Sequence, residues 1–342
     1  MQNYLVLGIL FITQMGVGIC GNFFLLGLYT FILLKGHRLR PIECIFANLA
    51  LANSKALFSK GILQVIVCFG FKNFLDLIGC KLILCLYSVA RSVCLSTTCL
   101  LSGFQVIIIS PRNSRWAELK TQAPKCILPA CFFCWCFYLM INLTLLGTMH
   151  NSRYLTNNSK IWHLGYCSIL TPASFNVSFF AITFLIPDII YMGLMIWSSA
   201  YLVLLLHRHH QQVQHLYSSH LSSRTFPEKR ATHAVLLLVS TYVSFYSINS
   251  SLAFYFFKTD KHQLWFVVTL DLLAVSFPAI SPFLLIFSDS RVLKYWSALW
   301  ARRHPSLLPQ CPQPYHLPSS CLNIRATKFS EVGGGGTRIK RF

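Results

Sequence analysis

A chain of 342 residues has room for two or three soluble domains, yet 55% of its residues are hydrophobic and only 11% are charged. Soluble domains carry about 25% Asp, Glu, Lys and Arg, so this pool is too small to cover a water-facing surface. The mean hydropathy of +0.57 also excludes general disorder, which needs few apolar residues and much charge. An integral membrane protein is what remains, and the formal net charge of +20 has to be explained by where the charges sit.

A hydrocarbon core of about 30 Å takes roughly 20 apolar residues wound as helix. Stretches poor in Asp, Glu, Lys and Arg occur seven times, at 8–34, 42–69, 82–109, 126–148, 178–206, 233–257 and 264–287. The second is interrupted by Glu43, Lys55 and Lys60, the third by Arg91, the fifth by Asp188 and the seventh by Asp271. The fold class expected is an all-α membrane protein, a seven-transmembrane helix bundle. Residues 1–7 would precede it, the seven-span body would run over 8–303, and 304–342 would be a tail.

Direction follows from the cations. Of 29 Lys and Arg residues, 20 fall after spans one, three and five and in the tail, against six after spans two, four and six. Basic residues stay on the cytoplasmic side, which puts the N-terminus outside and the tail inside. The positive charge is then a topology signal and a surface for anionic membrane lipids, with no nucleic acid as partner. Met1 to Asn3 lack a positive n-region and the apolar run is too long for a signal peptide, so span one reads as a retained anchor in a multi-pass chain. The tail, with prolines from Pro305 to Pro318 and glycines from Gly333 to Gly336, reads as disordered.

Most of the 14 cysteines fall inside spans, including Cys131, Cys134 and Cys136, where a thiol packs as a small hydrophobe. Two differ. Cys80 is at the outer mouth of span three and Cys167 in the outer loop before span five. A disulfide between them would strap that loop over the bundle in an oxidising compartment; two free thiols are the alternative. Of the sequons at Asn142, Asn157, Asn176 and Asn249, only Asn157 stands well clear of a span and is the expected glycosylation site.

Sequence blocks along the chain carry a more specific signal. They include Leu49-Ala50-Leu51-Ala52-Asn53, Phe104-Gln105, Ser114-Arg115-Trp116-Ala117-Glu118-Leu119-Lys120, Gly165-Tyr166-Cys167-Ser168, Pro227-Glu228-Lys229-Arg230-Ala231-Thr232 and Phe277-Pro278-Ala279-Ile280-Ser281-Pro282-Phe283. Over roughly residues 5 to 300 the chain resembles the vomeronasal receptors type 1, a pheromone-receptor family of G-protein-coupled receptors. The resemblance implies a plasma-membrane receptor for a small organic chemosignal, coupled to a heterotrimeric G protein of the inhibitory class. Span three has Phe104-Gln105-Val106 where rhodopsin-like receptors carry an acidic-Arg-aromatic triplet, so their ionic latch is absent. Lys55 departs from the family, which has an apolar residue there. A bitter taste receptor type 2, a signalling-dead relic, and a transporter or channel are the other readings; no inverted repeat supports the last.

Charges inside spans must face the bundle and find partners. Arg91 lies eleven residues past Cys80, roughly 16 Å below the outer mouth at about 1.5 Å per residue, with Tyr87 one turn above on the same face. Asp188 has a similar depth in span five. Tyr242, Phe245, Tyr246 and Asn249 recur at helical spacing on span six. Tyr87, Arg91, Asp188, Tyr242, Tyr246 and Asn249 are therefore the candidate ligand-binding set. The competing reading is an ion pair and an aromatic stripe that only pack helices. Asp271 has two candidate partners, Lys55 and Lys60. Toward the G protein, Arg112, Arg115, Lys120, Arg208, Lys229 and Arg230 would form a basic face. The histidines from His207 to His220 lack acidic or Cys partners and read as a solvated loop. No nucleophile–base pair, metal motif or cofactor motif is present, so catalytic, metal and cofactor residues are all expected to be none, and the chain is not expected to be an enzyme.

Overall fold

The computed structural model describes residues 2–68, 77–110, 114–148, 160–163, 168–171, 177–216, 226–258 and 264–288. The chain divides into two units, Met1–Val292 and Leu293–Phe342, and every described element belongs to the first. Seven helices follow in order: α1 Gln2–Leu34, α2 Pro41–Cys68, α3 Leu77–Ile109, α4 Ser114–Thr148, α5 Val177–Leu216, α6 Phe226–Lys258 and α7 Leu264–Ser288. Each expected span lies on its own helix, save that Phe69 falls outside the described residues, and most helices run past the apolar stretch, because helix outlasts hydrocarbon once water can satisfy the last turns. α1 starts at Gln2 and takes up the segment expected to precede the first span.

Two features were absent from the sequence expectation. Between α4 and α5 lies an antiparallel pair, β1 Lys160–His163 and β2 Ser168–Thr171, in register Lys160↔Thr171 and His163↔Ser168. The all-α bundle thus carries one small hairpin in a connecting segment; its strands are four residues each, too short for a periodic signal. Six of the seven helices are long and apolar enough to cross a membrane among the described residues, and α2 is the exception. Glu43, Lys55 and Lys60 dilute its hydropathy; the two lysines find partners on other helices, and Glu43 meets Arg40 at the start of α2.

Helix ends follow local chemistry. Gly36, at φ 76°, closes α1: the Gly36 N–H donates to Leu33 O at 2.9 Å and the His37 N–H to Ile32 O at 3.2 Å, the paired bonds of a Schellman cap. At the start of α2, Pro41 takes the first helical position, where a missing N–H costs nothing. The Glu43 carboxylate accepts from the Arg40 N–H at 2.7 Å.

α3 is the central helix, packed on α2, α4, α5 and α6, while α2 packs on α1, α3, α4 and α7. In the apolar stretch of α3 67% of residues are buried, against 17% in α5. The outer faces of α4 and α5 expose Leu128, Phe132, Phe133, Met140, Ile189, Ile190 and Trp197, which suits contact with lipid and would be a liability in water. Buried hydroxyls in this environment bond back along their own helix, as Ser54 does to Ala50 O, Thr98 to Cys94 O and Ser276 to Leu272 O.

A polar junction ties four helices together. Pro282 has no N–H, so the Pro278 carbonyl one turn earlier loses its helical donor. Asn22 Nδ2 supplies one at 3.0 Å and also donates to Gly18 O at 2.8 Å. Asn53 Nδ2 donates to Ser281 Oγ at 2.7 Å and to Asn22 Oδ1 at 3.3 Å, and the Cys94 thiol donates to Asn53 Oδ1 at 3.1 Å. The approach of α1 to α7 requires Gly18, where an added Cβ would meet the Ala279 Cα at 2.8 Å. Asn22→Leu removes the donor to Pro278 and strands a buried carbonyl, a loss of about 1–3 kcal/mol. The purified protein in detergent should show a lower Tm for this variant; an unchanged Tm would contradict the junction's role.

Candidate functional site

One cavity of about 40 Å³ opens between α2, α3, α6 and α7, lined among others by Tyr87, Arg91, Tyr242, Tyr246 and Asn249. Helical spacing sets this convergence. Tyr87 and Arg91 are one turn apart on α3, while Tyr242, Phe245, Tyr246 and Asn249 follow at steps of three and four on α6. Tyr242 and Tyr246 stack at 6.2 Å between ring centroids, and Tyr242 meets Phe277 of α7 edge-on at 4.6 Å. Ala56, Cys94, Leu273, Ala274, Phe277 and Pro278 complete the wall. Sequence reasoning did not select them as ligand residues, since Ala and Leu on a buried helix give no signal separating cavity from core.

Asp188 is the candidate that does not line the cavity; it stands behind the wall and fixes two residues that do. Arg91 donates from Nη2 to Asp188 Oδ2 at 2.8 Å, and the Tyr246 hydroxyl donates to the same oxygen at 2.8 Å. The Arg91 guanidinium also lies 5.2 Å from the centroid of the Tyr246 ring. α3, α5 and α6 are thereby joined at one carboxylate oxygen. Arg91 is half-buried in this ion pair and also borders the cavity.

The second acidic residue is paired through α2. Lys60 Nζ lies 2.8 Å from Asp271 Oδ1 and 5.0 Å from the centroid of the Tyr87 ring. Of the two candidate partners for Asp271, the fold selects Lys60. Lys55 instead lies over Trp135 of α4 at 4.3 Å. Trp135 Nε1 donates to Asn48 Oδ1 at 2.9 Å and Asn48 Nδ2 to Thr97 Oγ1 at 2.8 Å, so the ring beneath the ammonium is held in place.

Of the other candidates, Cys80 is buried at the start of α3 against Leu63 and Ile66, and Cys167 and Asn157 lie outside the described residues. Asn142 is buried in α4, donating to Tyr138 O. Within the basic set, Lys120 donates to Ser110 O at 2.6 Å, tying α4 to the end of α3, and Arg208 is exposed near the end of α5. Arg115 lies in the first turn of α4, with Lys229 and Arg230 in the first turns of α6; Arg112 lies outside the described residues. No group of three or more metal-ligating side chains occurs among the described residues.

A model of the vomeronasal organ pheromone receptor family matches residues 5–298. The chain belongs to this family. It is 41% identical over 296 residues to vomeronasal type-1 receptor 1 of Homo sapiens, covering 86% of this chain and 84% of that one. Vomeronasal type-1 receptor 4 of Homo sapiens is 38% identical over 301 residues, with 88% and 99% covered. Vomeronasal type-1 receptor 93 of Rattus norvegicus is 30% identical over 301 residues, with 87% and 95% covered. The protein is therefore a multi-pass membrane receptor of the vomeronasal type-1 class and not an enzyme, and the taste-receptor and transporter readings give way to it.

Two mutational outcomes follow from this geometry. Neutralising Arg91 or Asp188 alone leaves a buried charge unpaired, a cost of about 3–5 kcal/mol, so R91M and D188N should each depress surface display while the double variant recovers it; equal loss in all three would refute the pairing. Lys55→Met should raise display modestly, because a mid-membrane lysine costs about 2.5–3.5 kcal/mol on insertion scales and a desolvated cation–π contact returns about 2. Reduced display on flow cytometry would reverse that balance.

Proposed function

We propose that this vomeronasal type-1 family receptor binds a small organic chemosignal in the cavity between α2, α3, α6 and α7 and passes the event to a heterotrimeric G protein. The observation that carries the reading is the shared oxygen of Asp188. It joins Arg91 and Tyr246, both of which line the cavity, so an occupant bears directly on the bond between α5 and α6. A cavity of about 40 Å³ holds only a few waters at about 10–15 Å³ each, and a ligand ring has to push the Tyr246 side aside to enter. The movement of α6 against α5 then shifts the population of two receptor states.

The N-terminus faces outward in this reading and the cavity opens toward the extracellular half, in keeping with the excess of Lys and Arg after spans one, three and five and in the tail. The ends of α3 and α5 and the beginnings of α4 and α6 then form the cytoplasmic face at the plasma membrane, with Arg112, Arg115, Lys120, Arg208, Lys229 and Arg230 as its cationic surface for a G protein of the inhibitory class and for anionic lipid. A disulfide from Cys80 to Cys167 holds the outer loop, and Asn157 carries a glycan. Cys80 is buried and disulfide-bonded, which supports the first. The Trp135 contact of Lys55 removes one argument for a signalling-dead relic.

A G-protein reporter in intact cells tests the proposal. An epitope on the first residues should be open to antibody without permeabilisation; shielding it would reverse the orientation. Tyr246→Phe deletes a hydrogen bond to a carboxylate, worth about 1.5–3 kcal/mol, and should raise ligand-independent signalling several-fold. A basal signal identical to the parent chain would exclude the Tyr246–Asp188 bond as the restraint on α6.

A further inference from the structure

The polar inventory of the cavity says which ligand chemistry it can accept. Two cations, Arg91 and Lys60, stand at or just behind the wall, and two carboxylates, Asp188 and Asp271, are paired with them at 2.8 Å each. An anionic ligand would have to draw Arg91 from Asp188 and leave that carboxylate buried and unpaired. A cationic ligand would sit beside Arg91 with no unpaired counter-charge on the wall. Charge is thus already balanced without an occupant.

Hydrogen-bonding capacity is not balanced. Asn249 lines the cavity, and its buried Oδ1 has no hydrogen-bond partner among the described residues. Pro278, inside α7, has no N–H, so the carbonyl of Ala274 one turn earlier loses its usual donor; Ala274 and Pro278 both line the cavity. The Asn249 oxygen is an acceptor left without a donor, and a buried acceptor needs one. The remaining wall is largely apolar: the rings of Tyr87, Tyr242, Phe245, Tyr246 and Phe277.

We infer that the site takes an uncharged, compact apolar molecule bearing at least one hydrogen-bond donor, a hydroxyl or N–H, which Asn249 Oδ1 accepts. The inference rests on the cavity reading above and adds the class of ligand. The ligand hydroxyl donates to Asn249 Oδ1 while its ring covers the aromatic wall.

The test is a matched series measured on the purified full-length receptor in nanodiscs: cyclohexanol, cyclohexanone, methoxycyclohexane, cyclohexylammonium and cyclohexanecarboxylate. Cyclohexanol should bind about tenfold more tightly than the ketone and the ether, the ratio that one satisfied acceptor gives, and both ions should bind more weakly still. Asn249→Leu should erase the advantage of the alcohol and leave the ketone unchanged. Ala274→Phe, which fills the cavity, should abolish binding of the whole series. Ketone or ammonium binding as tight as the alcohol overturns the donor inference, while sensitivity to Ala274→Phe keeps the cavity as the site. Binding that survives Ala274→Phe removes the cavity reading itself, and binding by no member overturns the inference. The ligand series on the unaltered chain decides even if a variant misfolds.

Discussion

Hydrocarbon offers no hydrogen bonds and little dielectric screening, so a charged or polar side chain within a bundle has to be satisfied by another helix. In this receptor that constraint converges on Asp188. A guanidinium from α3 and a hydroxyl from α6 share one oxygen of an α5 carboxylate, and three helices are fixed relative to one another by a few atoms. The same demand places Lys60 on Asp271 and Lys55 on the face of Trp135. It also sets Asn22 and Asn53 between α1, α2 and α7, where proline has taken a donor from the backbone.

These contacts divide the bundle into two regions. Around Asn22, Asn53, Ser281 and Cys94 the polar groups are mutually satisfied and the helices approach closely, with Gly18 against Ala279. Around Tyr246 and Asn249 the packing is looser: a cavity remains, and an amide oxygen has no partner among the described residues. The bundle is thus well satisfied in one region and incompletely satisfied in another, and the proposed ligand site is the second of these.

The absence of an acidic-Arg-aromatic triplet in α3 removes one familiar tether between helices three and six. The Arg91–Asp188–Tyr246 junction supplies a different one, at the cavity wall and not at the end of the helix. Restraint and cavity are thereby adjacent, a side-chain length apart.

Several of these features were legible in the residues. Seven apolar stretches correspond to seven helices because the cost of leaving backbone polar groups unpaired in lipid permits little else. The i, i+4 spacing of Tyr87 with Arg91 and of Tyr242 with Tyr246 put pairs of cavity-lining side chains on common faces, and the family was readable in blocks spread from α1 to α7. The sequence alone could not register one helix against another. Asp271 had two candidate lysines, Asp188 counted as a wall residue when it stands behind the wall, and Ala274, Pro278 and Phe277 gave no sign that they border a space. The hairpin between α4 and α5 was too short to carry a period. Local composition and periodicity determine where this chain is helical and which face of a helix is polar, because those depend on residues a few positions apart. Which cation meets which carboxylate, and where packing leaves room, depend on rotations and translations between helices that no stretch of one helix encodes, and only the folded bundle decided them.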